Sequence, residues 1–159
     1  MPIQDFNIYT AKGYAGELVD SGPRTVQTGI LTGNSPLGFG VAVTRDSAVV
    51  ERGVAPGSVG GNVFAITQRE YNHEASTRPA KEGTGAWKYQ PAESVSLIRQ
   101  GYLYIEVVDI AAVSGQVLAV NADGTWEGTD AGSATATTNV TAEESGLGLI
   151  KVRIDIKAV

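Results

Sequence analysis

The side chain best suited to proton transfer is His73, in the run Tyr71-Asn72-His73-Glu74. An imidazole titrates near neutrality, which is the ordinary requirement for a general base. A Ser–His–acid triad also needs a serine and a carboxylate delivered by the fold, and no Gly-x-Ser-x-Gly elbow offers the serine. A surface or interface histidine is the simpler reading. Glu143-Glu144 and Asp20 could form an acid–base pair for sugar hydrolysis, but such pairs need a fixed separation across a cleft, and adjacent glutamates in a small-residue tract read as solvated charge. Asp109, Asp123 and Asp130 lack the spacing of a calcium loop. Gly38-Phe39-Gly40 and Gly146-Leu147-Gly148 begin like dinucleotide fingerprints but lack the third glycine and open no helix. They read as tight turns or bulges. With one histidine and no cysteine, zinc sites built on several imidazoles or thiolates are excluded, as are disulfides and iron–sulfur clusters. No cofactor or metal is expected. Asn139-Val140-Thr141 matches a glycosylation acceptor, though nothing in the sequence suggests secretion. Trp87, Tyr89, Tyr102, Tyr104 and Trp126 could stack sugars or fill an interface, or else cap a core.

The elements that must position these residues belong to a chain of 159 residues, enough for one well-buried domain. Hydrophobic residues make up 42% and charged residues 18%, the balance of a globular protein. No apolar run reaches the length of a membrane span, so no membrane partner is expected. The start, residues 1–16, has no basic flank before an apolar stretch, so no signal peptide is expected. Seventeen acidic residues against 12 basic ones give a net charge of -5. There is no basic stripe to displace counterions from phosphates, so nucleic acid is not an expected partner.

The clearest strand lies near the C-terminus. From Leu149 to Lys157, apolar Ile150, Val152, Ile154 and Ile156 alternate with charged Lys151, Arg153, Asp155 and Lys157, a period of two with one face buried. Residues 94–98 and 102–108 are rich in β-branched and aromatic residues and flank Arg99-Gln100-Gly101, which predicts a hairpin. Residues 116–120 and 124–127 flank Asn121-Ala122-Asp123-Gly124, a second hairpin expectation. Residues 39–44, 48–51 and 62–70 read as three more short strands, separated by Gly/Pro/Asn clusters such as Gly33-Asn34-Ser35-Pro36. The fold class is therefore all-β, a sandwich or barrel. Residues 128–146 hold almost no large apolar side chains and read as an exposed Gly/Ala/Thr-rich loop. Residues 1–22 read as an N-terminal arm with a glycine motif, and 23–159 as the β-domain.

Gly13-Tyr14-Ala15-Gly16-Glu17-Leu18-Val19-Asp20-Ser21-Gly22 resembles the N-terminal motif of the cement, or capsid decoration, proteins of tailed bacteriophages. Further stretches agree in order. Residues 36–43 resemble that family's Pro-Phe-Gly strand, with Leu-Gly inserted after Pro36. Residues 64–69 resemble its central strand, and the hairpin through Gly101, followed by residues 116–126, resembles its paired strands. The resemblance implies a single β-barrel or jelly-roll-like domain with an extended N-terminal arm. It implies a place on the outer capsid surface of the virion, over junctions between major capsid subunits, as a homodimer or homotrimer assembled in the host cytoplasm. The lack of cysteine suits a reducing compartment, and the acidity disfavours capture by packaged genome.

On that basis the candidate contact residues are Phe6, Ile8, Tyr9, Gly13, Tyr14, Gly16 and Leu18. Phe6, Ile8 and Tyr9 are apolar on a segment too short to hold its own core, so docking on a partner would remove them from water. The motif glycines permit close backbone approach. The competing expectation is that residues 1–22 fold back onto their own barrel. Two other functions fit less of the sequence: a carbohydrate-binding β-sandwich using Trp87 or Trp126, and a small β-fold enzyme using His73.

Overall fold

The computed structural model describes residues 14–19, 22–46, 51–69, 88–129 and 134–156. Nine strands follow in chain order: β1 (Thr25–Leu31), β2 (Ala42–Arg45), β3 (Gly53–Pro56), β4 (Ala65–Thr67), β5 (Ser94–Ala112), β6 (Val117–Val120), β7 (Trp126–Glu127), β8 (Thr135–Ala142) and β9 (Gly146–Ile154). No helix occurs among the described residues, so the all-β expectation holds.

The strands close into two five-stranded rings that share β5. In the first, β1 pairs with β3 in parallel, β3 with β2, β2 with β4, β4 with β5, and β5 back with β1. In the second, β5 pairs with β7 in parallel, β7 with β6, β6 with β8, β8 with β9, and β9 back with β5. Closure gives each strand two hydrogen-bonded neighbours and removes open edges.

Strand alternation divides the core between the rings. Val43 of β2, Ala65 of β4 and Leu97 of β5 join the cluster that fills the first ring, with Leu31, Val54, Val95 and the fully buried Tyr89. Their sequence neighbours Ala42, Ile66 and Ile98 face the other way and join the second cluster, with Leu103, Leu118, Trp126, Val140 and Ile150. At β2, β4 and the first half of β5, both sheet faces are therefore buried, one against each core. These strands show little polar alternation for that reason.

The expected hairpin through Arg99-Gln100-Gly101 is instead one strand of 19 residues. Its first part pairs with β1 and β4, and from Gly101 onward it pairs with β9. Gly101 has φ 133°, open to glycine and strained for other residues, and the facing β1 register shifts between Thr25 and Val26. Glycine here passes the strand from one ring to the next. Turn and pass look alike in a local sequence, because both need the same backbone freedom.

The hairpin from β6 to β7 is as expected: Val120 faces Trp126 and Gly124 has φ 82°. The expected loop at 128–146 is corrected. Residues 135–142 form β8, with Thr137, Asn139, Val140 and Ala142 buried. Small residues suffice there because β8 is held by pairing to β6 and β9, not by bulk. Buried Asn139 accepts a hydrogen bond from the Val63 N–H (3.1 Å) and donates to the Val63 carbonyl (2.7 Å), so its amide is spent inside the fold and the apparent glycosylation acceptor is closed. β9 ends at Ile154, and Ile156, expected inward, is exposed, because the paired stretch of β8 starts at Val140, opposite Ile154. β3 starts at Gly53 rather than within residues 48–51, of which 48–50 lie outside the described residues.

Replacing Gly101 by Ala should cost about 1–3 kcal/mol, the scale of one residue forced into a sparsely allowed conformation. Urea unfolding followed by far-UV circular dichroism measures it, and an unchanged midpoint would show that the strand tolerates the strain.

Candidate functional site

The glycine motif is the part of the candidate site that the structure describes, and it lies against β5. Tyr14 to Glu17 form a turn in which the Glu17 N–H donates to the Tyr14 carbonyl (3.0 Å). The Glu17 carboxylate in turn accepts from the Tyr14 N–H (2.8 Å). Past the turn, the chain runs antiparallel to β5. The Gly16 N–H donates to the Tyr104 carbonyl (2.8 Å), Tyr104 N–H to the Glu17 carbonyl (3.0 Å) and Val19 N–H to the Tyr102 carbonyl (3.1 Å), with Leu18 opposite Leu103. Residues 16–19 thus add a short pairing to the shared strand, on the side away from β9.

Gly16 sits where no side chain fits. Its φ is 80°, and a Cβ there would lie 2.8 Å from the Gly40 nitrogen and 2.8 Å from the Thr67 carbonyl oxygen. Gly40, with φ 70°, is equally crowded by Gly16. The two glycines let two backbones touch, and the contact is tied from several directions. Arg69 N–H donates to the Gly16 carbonyl (2.8 Å) and Gly40 N–H to the Thr67 carbonyl (2.8 Å). The buried Trp126 indole N–H donates to the Gly40 carbonyl (2.7 Å). The Thr67 hydroxyl, fully buried, accepts from Val41 N–H and donates to the Gly38 carbonyl. Motif, β2 approach, β4 and β7 therefore meet at one point.

An aromatic and cationic stack covers this junction. The Arg69 guanidinium lies 4.3 Å from the Tyr14 ring centroid and 5.3 Å from that of Phe39. Phe39 packs edge-on against Tyr89 at 5.3 Å, and the Tyr89 hydroxyl donates to the Gln68 carbonyl (2.7 Å). Such stacking holds a charged side chain along apolar surface. Tyr14 is still 60% exposed.

Of the seven candidate contact residues, Phe6, Ile8, Tyr9 and Gly13 lie outside the described residues. Gly16 and Leu18 are engaged by the protein's own barrel, as the fold-back expectation had it for this stretch: Gly16 through its backbone, Leu18 by packing on the second core. Tyr14 alone of the three described candidates stays largely exposed. Sequence reading placed Gly40 in a turn but had no signal for its contact with Gly16, because 23 intervening positions separate residues that only ring closure brings together.

The chemical alternatives fare as follows. Trp126, offered as a sugar platform, is 1% exposed with its N–H spent on Gly40. Burial of a large aromatic in the second ring corrects that expectation. Trp87, His73 and Asp20 lie outside the described residues. Glu144 accepts from the Lys151 N–H (3.1 Å), closing the turn into β9. Asp123 accepts from the hydroxyl and the N–H of Thr125; these bonds, the hydroxyl's first, hold its carboxyl below the usual range. Both acids serve turns. Among the described residues no group of three or more His, Asp or Glu side chains gathers to hold a metal.

The sequence model of the family described as structural cement protein (E217 gp24/Pam3 gp6) matches residues 1–155. The chain belongs to that family. The resemblance carried by the glycine motif is thereby established along nearly the whole length. A search of curated proteins found no match. Among solved structures, a chain of the capsid of Myoviridae phage XM1 shares the fold, with a TM-score of 0.65 and 19% identity over 98% of each chain.

Gly16→Ala should destabilise this cement-family protein by about 1–3 kcal/mol or more, from strain plus the backbone clash. Gly22→Ala, with open space around it, should stay within about 0.5 kcal/mol of wild type. Equal denaturation midpoints for the two variants would dissolve the glycine–glycine contact as a structural element. Trp126→Phe should cost about 1–3 kcal/mol by stranding the Gly40 carbonyl, read in the same assay.

Proposed function

We propose that this chain is a capsid cement protein that binds the outer surface of an assembled phage head, clamps neighbouring major capsid subunits and stabilises the shell without transforming a substrate. The observation that carries the reading is the family match across residues 1–155. The capsid named for the structural relative supports it. So does the use of the described acidic turn residues in backbone hydrogen bonds rather than in a cleft.

The physical basis of cementing is mass action. A protein that binds the assembled shell and not the free subunits stabilises the shell by that difference in affinity. If several copies associate, each contact after the first is effectively intramolecular, so modest sites sum to a tight clamp. Two closed rings leave little strand edge for a partner, which directs contact to side-chain surface and to the arm. The arm precedes an anchor: residues 16–19 are bonded to β5, so a tether beginning at Tyr14 starts from a fixed point. Phe6, Ile8 and Tyr9 supply apolar surface to bury on the shell.

Deleting residues 1–12 spares the Gly16–Tyr104 hydrogen bond and the Gly16–Gly40 contact. The truncated protein should unfold with the wild-type midpoint and lose co-sedimentation with phage shells. Undiminished sedimentation would remove the arm from the mechanism. Light scattering at micromolar concentration should give a multiple of 16.5 kDa, and a monomer mass throughout would leave each copy to bind singly.

A further inference from the structure

The first ring has an unusual mouth. By strand alternation, Gln27 and Gly29 of β1, Arg45 of β2 and Arg99 of β5 lie on the same sides of their strands as the core residues Leu31, Val43 and Leu97. The core therefore gives way, at one end of the ring, to two arginines. Both guanidiniums lie over the ring of Phe64, at 4.9 Å for Arg45 and 4.3 Å for Arg99. They can be no farther apart than those distances combined. Arg99 is further fixed by its Nε–H donating to the Phe64 carbonyl (3.3 Å). Arg52 and Glu51 stand at the rim of the same opening.

Like charges held close repel, and the usual remedy is a carboxylate between them. Among the described residues no acid forms an ion pair with Arg45 or Arg99, Glu51 included. Burial, and secondarily the charge of Arg45, pull the Arg99 pKa below its ordinary value. The protein as a whole carries -5, so acids are in surplus, yet no described acid is paired with either guanidinium. Beside Arg45 and Phe64 lies a hollow of about 300 Å³, lined also by Thr44, Val59 and Asn62. Val59 is 68% exposed, and the Asn62 side-chain oxygen has no hydrogen-bond partner.

We propose that this mouth is a docking point for an acidic segment of the shell protein, a carboxylate bridging Arg45 and Arg99 while an adjacent apolar side chain enters the hollow against Phe64 and Val59. This rests on the cement reading and names the chemistry of one of its contacts. The aromatic ring preorganises the guanidiniums, so little rotamer freedom is lost on binding. A carboxylate there relieves the repulsion and accepts charge-assisted hydrogen bonds. The contact is independent of the N-terminal arm.

The test is co-sedimentation of wild type, Arg45→Gln, Arg45→Gln/Arg99→Gln and Arg24→Gln with phage shells, across 50–500 mM NaCl, with circular dichroism on each protein. Wild type should bind with an affinity that falls as salt rises. The double variant should lose at least tenfold in affinity and most of its salt dependence. Arg45→Gln, altering an exposed residue at a strand end, should lose several-fold with its fold unchanged, which covers the case of a double variant that fails to fold. Arg24→Gln should match wild type. Wild-type affinity and salt dependence in a folded Arg45→Gln variant would overturn the docking point and leave the cement reading standing. Failure of wild type itself to sediment would overturn the cement reading and this contact with it.

Discussion

One strand, β5, shared by both rings, constrains everything else in this molecule. β5 closes the first ring through β1 and β4 and the second through β9 and β7, so neither barrel exists without it. Its alternating side chains feed two cores in turn, Leu97 into one and Ile98 into the other. Sharing a strand makes the two rings a single cooperative body, because an opening in either exposes apolar surface of both. At Gly101 the strand passes from β1 to β9, with a backbone angle that other residues adopt only under strain.

The same strand organises the surface. Closed rings offer no template for edge-to-edge association, and the remaining edge groups at Tyr102 and Tyr104 are taken by residues 16–19. With those edges paired, the described surface presents side chains: Tyr14, 60% exposed against the Arg69 guanidinium, and the arginine pair over Phe64. On the proposed reading these are where a shell protein would be met, the first together with the residues that precede it and the second through charge.

Legibility varied with how local the governing physics is. The C-terminal strand was readable because period-two alternation of Ile150, Val152 and Ile154 with Lys151 and Arg153 reports burial directly. The turn at Asp123-Gly124 was readable because its φ and its side-chain hydrogen bond are properties of four residues. Residues 135–142 were misread as loop since their strand character comes from neighbours in β6 and β9, and not from their own bulk. Residues 99–101 were misread as a turn because glycine's permissiveness does not say whether the chain reverses or merely kinks. The arginine pair left no trace at all: Arg45, Phe64 and Arg99 stand on three separate elements.

By itself, the sequence determined the strand-rich class, the family to which the chain belongs, and the absence of any thiol or multi-histidine chemistry, because composition, alternation and a ten-residue motif act over short range. Tertiary structure alone decided that Trp126 is core and not platform, that Gly16 serves Gly40, and that two cations share one ring. Each of those depends on closing a ring across many intervening residues, and closure is settled by the summed burial and pairing of the whole chain rather than by any segment of it.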